Sequence, residues 1–194
     1  ASVGTEHQID QPLEERIRTV GRPYAGAEIR IEGDDGRELP RGEVGEIVVR
    51  GPGNVGGYYQ DPEATRAAWS KDGWFHMGDL GRFDDKGNLV IAGRKKDIII
   101  RGGQNIYPSE IEGLLVTHPK VSEAAIVKMP DLVMGEKACA YVATKGGQTF
   151  IFEEMIAFLK EKNIATFKLP ERLEIIDKLP MVAAGQKVDK KALE

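Results

Sequence analysis

Four places in this chain carry side chains whose types and spacing could do chemistry. Asp79 follows a glycine in the run Trp74-Phe75-His76-Met77-Gly78-Asp79-Leu80-Gly81. A carboxylate is acceptor-only, so it suits either the two hydroxyl protons of a diol or the capping of a turn. Arg94 opens a basic cluster, Arg94-Lys95-Lys96, that runs into Asp97. Its rigid fork fits paired oxygens better than an ammonium does, whereas Lys95 and Lys96 read as a solvated charge run. Gly102-Gly103-Gln104 forms a tight turn in which positive φ is cheap and backbone lies open to a slim chain passing close by. Near the end, Lys187 stands among prolines and glycines in Leu179-Pro180-Met181-Val182-Ala183-Ala184-Gly185-Gln186-Lys187. A lysine on a loop is usually only solvated; the flanking breakers single this one out, with Lys190 and Lys191 as rivals by charge alone.

The elements that must position these residues change character along the chain. The first half alternates strand and turn. Ala27 to Ile31 and Glu46 to Arg50 read as strands, closed by Gly33-Asp34-Asp35-Gly36 and Gly51-Pro52-Gly53. Asp61-Pro62-Glu63 has the order of a helix start: a cap, a proline at the first helical position, an acid in the first turn. Asp84 to Asn88 is a hairpin turn before a strand at Leu89 to Ala92. This half reads as a small antiparallel sheet or open, distorted β-barrel. In the second half, Ile98 to Ile100 is a short β-branched strand. Pro108 opens a helix to about Thr117, with Glu110 and Glu112 outward and Ile111, Leu114 and Leu115 inward. Strands follow at Glu123 to Lys128, Lys137 to Ala143 and Leu173 to Ile176. Phe152, Met155, Ile156 and Leu159 have the i, i+3, i+4, i+7 spacing of a helix with one buried face. Lys190 to Glu194 reads as the start of a terminal helix. The class is therefore α+β, with a short sheet covered by helices in residues 97–194 and the barrel-like part in residues 1–96.

Composition narrows the function classes. The 194 residues suffice for one medium or two small domains, with 41% hydrophobic and 30% charged residues, ordinary for a globular protein. A net charge of −4 argues against a dedicated nucleic-acid binder. The one cysteine, Cys139, lies in an apolar run and reads as a buried strand residue, which suits a reducing compartment such as the cytoplasm. No apolar stretch reaches the roughly 18 residues of a membrane span, and the first residues, ASVGTEHQID, lack the pattern of a signal peptide. His7, His76 and His118 have no metal-ligand spacing, and no Ser-His-Asp arrangement can be argued. Gly51 to Gly56 fits G-x-G-x-x-G, but no helix opens in that turn, so a dinucleotide site is not expected.

The order of motifs resembles that of the adenylate-forming, acyl- and aryl-acid-activating enzymes, most closely the acyl-CoA synthetases. Gly93-Arg94-Lys95-Lys96-Asp97 through Glu112 is similar to the family's junction between its two domains. Glu43 to Pro52 with Gly57-Tyr58-Tyr59 and Pro62 to Thr65 is similar to one of its structural signatures. Trp74 to Gly81 resembles its aromatic-x-Thr-Gly-Asp-Leu segment, with Met77 where the family has threonine. Leu179 to Leu193 resembles its closing Pro-x-Thr-x-x-Gly-Lys run, with Val182 for the threonine and Gln186 between glycine and lysine. Aligned on Lys-Val-Asp-Lys-Lys-Ala-Leu, the family's catalytic lysine falls on Lys187.

The resemblance implies roles. Asp79 would bind the ribose hydroxyls of the adenylate, and Arg94 the ribose and phosphate region. Asp97 would be the hinge about which a small C-terminal domain rotates. Gly102, Gly103 and Gln104 would line the pantetheine tunnel. ATP, AMP, coenzyme A, Mg2+ and a small-molecule carboxylic acid, among them fatty acids, are the ligands implied. The chain holds no Ser/Thr/Gly-rich phosphate loop and no clear Tyr-Gly-x-Thr-Glu segment. It is therefore expected to be the C-terminal portion of a longer ligase and inactive alone, with the Mg2+ ligands and acid pocket in the preceding part. Residues 1–96 would close the large domain and residues 97–194 form the small mobile one. Two alternatives stand beside a CoA ligase: an aryl-acid or amino-acid adenylating enzyme that loads a carrier protein, and a non-catalytic binding module that keeps only the fold.

Overall fold

In the computed structural model, the described residues are 4–182 and 187–194. The chain folds as two compact units, Ala1–Lys96 and Asp97–Glu194.

The first unit runs β1 (Thr5–Glu6), α1 (Leu13–Arg18), β2 (Arg22–Pro23), β3 (Glu28–Glu32), β4 (Gly45–Arg50), α2 (Pro62–Ala68), β5 (Phe75–Phe83) and β6 (Leu89–Arg94). β1 and β2 form a small antiparallel pair. β3 to β6 form an antiparallel sheet in sequence order. Ile31, Ile47, Val49, Phe75 and Leu89 supply its core. α2 starts as its sequence dictates: the Asp61 carboxylate accepts the Ala64 N–H at 2.9 Å, and Pro62 takes the first helical position.

The expected barrel is corrected to an open sheet. β3 and β6 are its edges and do not pair with each other. Four strands are too few for closure, since about eight give an interior that side chains just fill. The longest strand of this unit, β5, was not foreseen as a strand. Its run contains Gly78 at φ +71° and a register shift between Leu80 and Gly81, so the alternation that announces a strand is broken. Gly81 is required by close packing: an added Cβ would lie 2.7 Å from the Val90 carbonyl oxygen and 2.8 Å from Ile47 Cδ1.

The second unit runs β7 (Ile99–Arg101), β8 (Gln104–Ile106), α3 (Pro108–Leu115), β9 (Val121–Asp131), β10 (Gly135–Thr144), α4 (Phe152–Glu161) and β11 (Arg172–Ile175). Its sheet has five strands, of which β8 was not expected from the sequence. β9 and β10 form a long antiparallel hairpin, β10 pairs with β11 in parallel, and Gly135 of β10 pairs with Arg101 of β7. α3 and α4 cover the sheet. Ile111, Leu115, Met155 and Leu159 pack with Ile99, Ile106, Ile126, Ala138, Ala140 and Val142 in one core. Burying each of the Ile, Leu, Val and Met side chains among these contributes about 1.5–3 kcal/mol. His118, in the turn that follows α3, is buried against the rings of Phe150 and Phe158.

Two local expectations are corrected. Glu112 does not point outward: its Oε1 accepts the Ile126 N–H at 2.8 Å and the Lys190 ammonium at 2.6 Å. A carboxylate drawn to an unpaired strand N–H and a cation outweighs the tendency of an acid to face water. The terminal helix is only a 3-10 turn, Lys190–Ala192, whose first turn Asp189 caps through the Ala192 N–H.

Candidate functional site

Antiparallel pairing of β5 and β6 sets Asp79 opposite Arg94. Their side chains meet, with Arg94 Nε 2.8 Å from Asp79 Oδ1; the carboxylate is mostly covered and the guanidinium half-exposed. Arg94, Lys95 and Lys96 line a shallow pocket of about 320 Å³ with Gly78. Gly78, within β5 just before Asp79, lacks a side chain, so backbone itself forms that wall. The pair offers an acceptor-only group beside a planar donor fork, a combination suited to a ligand carrying both hydroxyl and anionic oxygens.

Lys95 is exposed, as a solvated charge run implies, but it also has an ion-pair partner. Its Nζ lies 2.8 Å from Glu46 Oε2, and His76 Nδ1 lies 3.3 Å from the same oxygen. Partial burial works to raise the Glu46 pKa, but hydrogen bonds from Lys95 and His76 prevail and hold it below the ordinary carboxylate value. The same hydrogen bond raises the Lys95 pKa. Lys95 thus ties the end of β6 to β4, although it and Lys96 are both exposed. Asp97 closes the 3-10 turn Lys95–Asp97 and is the first residue of the second unit.

Gly102 and Gly103 form the two-residue turn between β7 and β8, with Arg101 paired to Gln104. Their φ values are +55° and +81°. Two successive left-handed residues match the turn that suits the twist of a tight hairpin, and glycine adopts them without a Cβ penalty. Gln104 is exposed at the start of β8.

Lys187 stands at the foot of another hairpin. Its carbonyl accepts the Val182 N–H at 2.9 Å, Asp189 N–H donates to the Pro180 carbonyl at 2.8 Å, and Met181 bridges Val188. Its side chain is exposed. The inserted Gln186 lies outside the described residues. Of the rival lysines, Lys190 is occupied: its Nζ donates to Glu112 and to the Ile126 carbonyl at 3.2 Å. Lys191 is exposed.

Asp79 and Arg94 are therefore direct partners, and Gly102, Gly103 and Gln104 share one turn. Lys187 has a hairpin of its own. Sequence reasoning missed Glu46, which organises Lys95 and His76, and Asp131 and Met134 at the β9–β10 turn. A signal for the last existed in Asp131 followed four residues later by Gly135, a turn spacing that closes with a glycine at φ +77°. Among the described residues no group of three His, Cys, Asp or Glu side chains could hold a metal ion. Among them, too, no helix is long and apolar enough to cross a membrane.

Two family profiles match the chain: AMP-binding enzyme over residues 1–59 and AMP-binding enzyme C-terminal domain over residues 110–186. The chain belongs to the AMP-binding enzyme family. Relatives in this family include a medium-chain fatty-acid–CoA ligase of Escherichia coli (strain K12), 42% identical over 92% of this chain and 32% of the relative. A 2,3-dihydroxybenzoate-AMP ligase of Bacillus subtilis (strain 168) is 37% identical over 96% of this chain and 34% of the relative. Among solved structures, o-succinylbenzoate CoA synthetase from Bacillus subtilis, in complex with its acyl-adenylate intermediate, superposes with a TM-score of 0.85. It is 34% identical, with 93% of this chain and 36% of that one covered. The chain spans about a third of the length of the curated relatives it matches. Its α+β architecture is shared with that synthetase, whose structure holds an acyl-adenylate.

Proposed function

We propose that the chain is the C-terminal part of an ATP-dependent ligase that joins a carboxylic acid to a thiol, with coenzyme A as the thiol. In the first half-reaction the acid's carboxylate oxygen attacks the α-phosphorus of ATP. A new P–O bond forms and pyrophosphate leaves. In the second, a thiolate attacks the acyl carbon of the adenylate, the C–S bond forms, and AMP departs with the electron pair of the broken C–O bond.

The observation that carries this reading is the Asp79–Arg94 pair on adjacent strands beside the Gly78 pocket. Asp79 accepts the two hydroxyl protons of the ribose, and Arg94 reaches the ribose and phosphate oxygens. Lys187 stabilises the charge that builds on the α-phosphate; loss of one such positioned donor costs about 10²–10³ in rate. Gly102, Gly103 and Gln104 border the path of the pantetheine arm. Asp97, polar and at the boundary of the two units, absorbs the backbone rotation that exchanges the Lys187 hairpin for the glycine turn between steps. Mg2+, when bound, screens the phosphate charge; no cluster of the described residues offers it ligands.

A second reading is favoured by one finding: the 2,3-dihydroxybenzoate-AMP ligase matches over nearly the whole chain. On that reading the same residues serve an aryl-acid adenylate, and the acceptor is the thiol of a carrier protein.

Titration calorimetry of the full-length ligase with AMP tests the proposal. Asp79→Ala is expected to weaken AMP by about 10- to 100-fold, the worth of a hydrogen bond to a charged group. Unchanged affinity would overturn the assignment. Supplying acyl-AMP with either coenzyme A or a carrier protein then separates the two acceptors.

A further inference from the structure

The glycine turn between β7 and β8 does not stand alone. The Gly102 N–H donates to the Met134 carbonyl at 2.8 Å. The Met134 side chain lies over Gly102, so that a Cβ built there would be 2.8 Å from Met134 Cε. Arg101 pairs with Gly135, and the Ile100 N–H donates to Glu136 Oε2 at 2.7 Å. The β9–β10 turn that carries Met134 is itself fixed. Asp131 Oδ1 accepts the Val133 and Met134 N–H groups at 3.0 and 2.8 Å, and Oδ2 takes the Lys137 ammonium at 2.6 Å. Leu132 and Val133 beside it are fully exposed, in contrast to Met134.

We propose that Met134 is a positioning residue that holds the Gly102–Gly103 turn in the conformation required for thiol transfer. The inference rests on the reading above in which that turn borders the pantetheine path. Two glycines in sequence have more backbone freedom than any other pair. Such a turn keeps one conformation only if neighbours restrain it. Met134 does so twice, through its carbonyl on the Gly102 N–H and through its thioether on the bare face of Gly102. A flexible thioether fills such an irregular gap well. Positioning errors of about 1 Å near a reacting centre cost on the order of 100-fold in rate, so loosening the turn selectively weakens the step that uses it.

The test measures the two half-reactions of the full-length ligase separately. Acid-dependent ATP–pyrophosphate exchange reads the first, and thioester formation from supplied acyl-AMP reads the second. Met134→Ala is expected to slow thioester formation about tenfold and leave exchange within about twofold. Met134→Leu, similar in volume, is expected to recover most of the loss. Leu132→Ala, on the same turn but exposed, is expected to change neither. Equal loss in both half-reactions, no rescue by leucine, or an equal effect of Leu132→Ala would overturn the inference. Gly103→Ala distinguishes its failure from that of the underlying reading. If Gly103→Ala slows thioester formation and Met134→Ala does not, the turn serves the thiol but Met134 does not position it. If neither variant affects that step, the turn does not border the thiol's path.

Discussion

Lys190 donates from Nζ to Glu112 Oε1 at 2.6 Å, and that same oxygen accepts the Ile126 N–H at 2.8 Å. One ion pair thus ties the segment that follows the Lys187 hairpin to α3 and β9. Both side chains are about one-fifth exposed, 21% each. Replacing Lys190 with methionine leaves a mostly covered carboxylate without its cation. Lys190→Met is expected to destabilise the second unit by about 1–3 kcal/mol, read as a lower urea midpoint. Unchanged stability would mean that Glu112 is satisfied without it.

Lys187 should behave in the opposite way. Its side chain is exposed, so Lys187→Ala is expected to shift stability by no more than about 0.5 kcal/mol. In the full-length ligase it is expected to slow adenylate formation by about 10²–10³ while sparing thioester formation from supplied acyl-AMP. Parallel losses in both half-reactions would count against the assigned role.

Asp97→Pro probes the boundary between the units. Proline locks φ near −65° and removes the N–H. If rotation at Asp97 links the two half-reactions, this variant slows thioester formation in the complete reaction more than it slows pyrophosphate exchange. An unaffected second step would remove Asp97 from the mechanism.

Asp131 supplies a pH test. A hydrogen bond from Lys137, then the Met134 and Val133 N–H groups, depress its pKa from 3.8 to about 2. The unfolded chain takes up this proton first as pH falls. The stabilisation is therefore complete above about pH 4 and disappears as pH drops through about 2. Asp131→Asn is expected to lower the melting temperature at neutral pH, and the gap to the parent protein should close toward pH 2. A gap independent of pH would show that the charge on Asp131 contributes nothing.

Gly81→Ala tests the close approach within the first sheet. The new methyl would sit 2.7 Å from the Val90 carbonyl oxygen, and backbone cannot yield as a side chain can. A loss of about 1–3 kcal/mol is expected, measured by denaturant unfolding. A neutral substitution would place slack in the β5–β6 pair where the structure has none.

Much of this architecture was legible because local chemistry and tertiary need agree. Asp61-Pro62 sets the start of α2, Asp84 to Asn88 the β5–β6 turn, and the spacing of Met155 and Leu159 the buried face of α4. β5 was hidden because His76, Gly78 and Asp79 interrupt its apolar alternation. β8 was hidden because two of its three residues, Gln104 and Asn105, are polar and exposed. Asp79 and Arg94 could each be singled out by motif. Their ion pair could not, because it depends on the β5–β6 register, which includes an irregularity between Leu80 and Gly81. Glu46 beside Lys95 is 49 residues away along the chain, and only the folded sheet makes them neighbours. Glu112 was misread for the same reason: helical periodicity says which face is apolar, not which acid a neighbouring strand will recruit.

The Asp79–Arg94 pair has a consequence for turnover. Because the carboxylate already has a cation 2.8 Å away, a ribose bound there as proposed would exchange one partner for another. The net gain is then the difference between two comparable interactions, about 1.5–3 kcal/mol for a hydrogen bond to a charged group, not the full strength of a bond formed from nothing. On the proposed reading, in which the nucleotide leaves after each cycle, such a self-neutralised pair would act as a latch that closes behind the departing product.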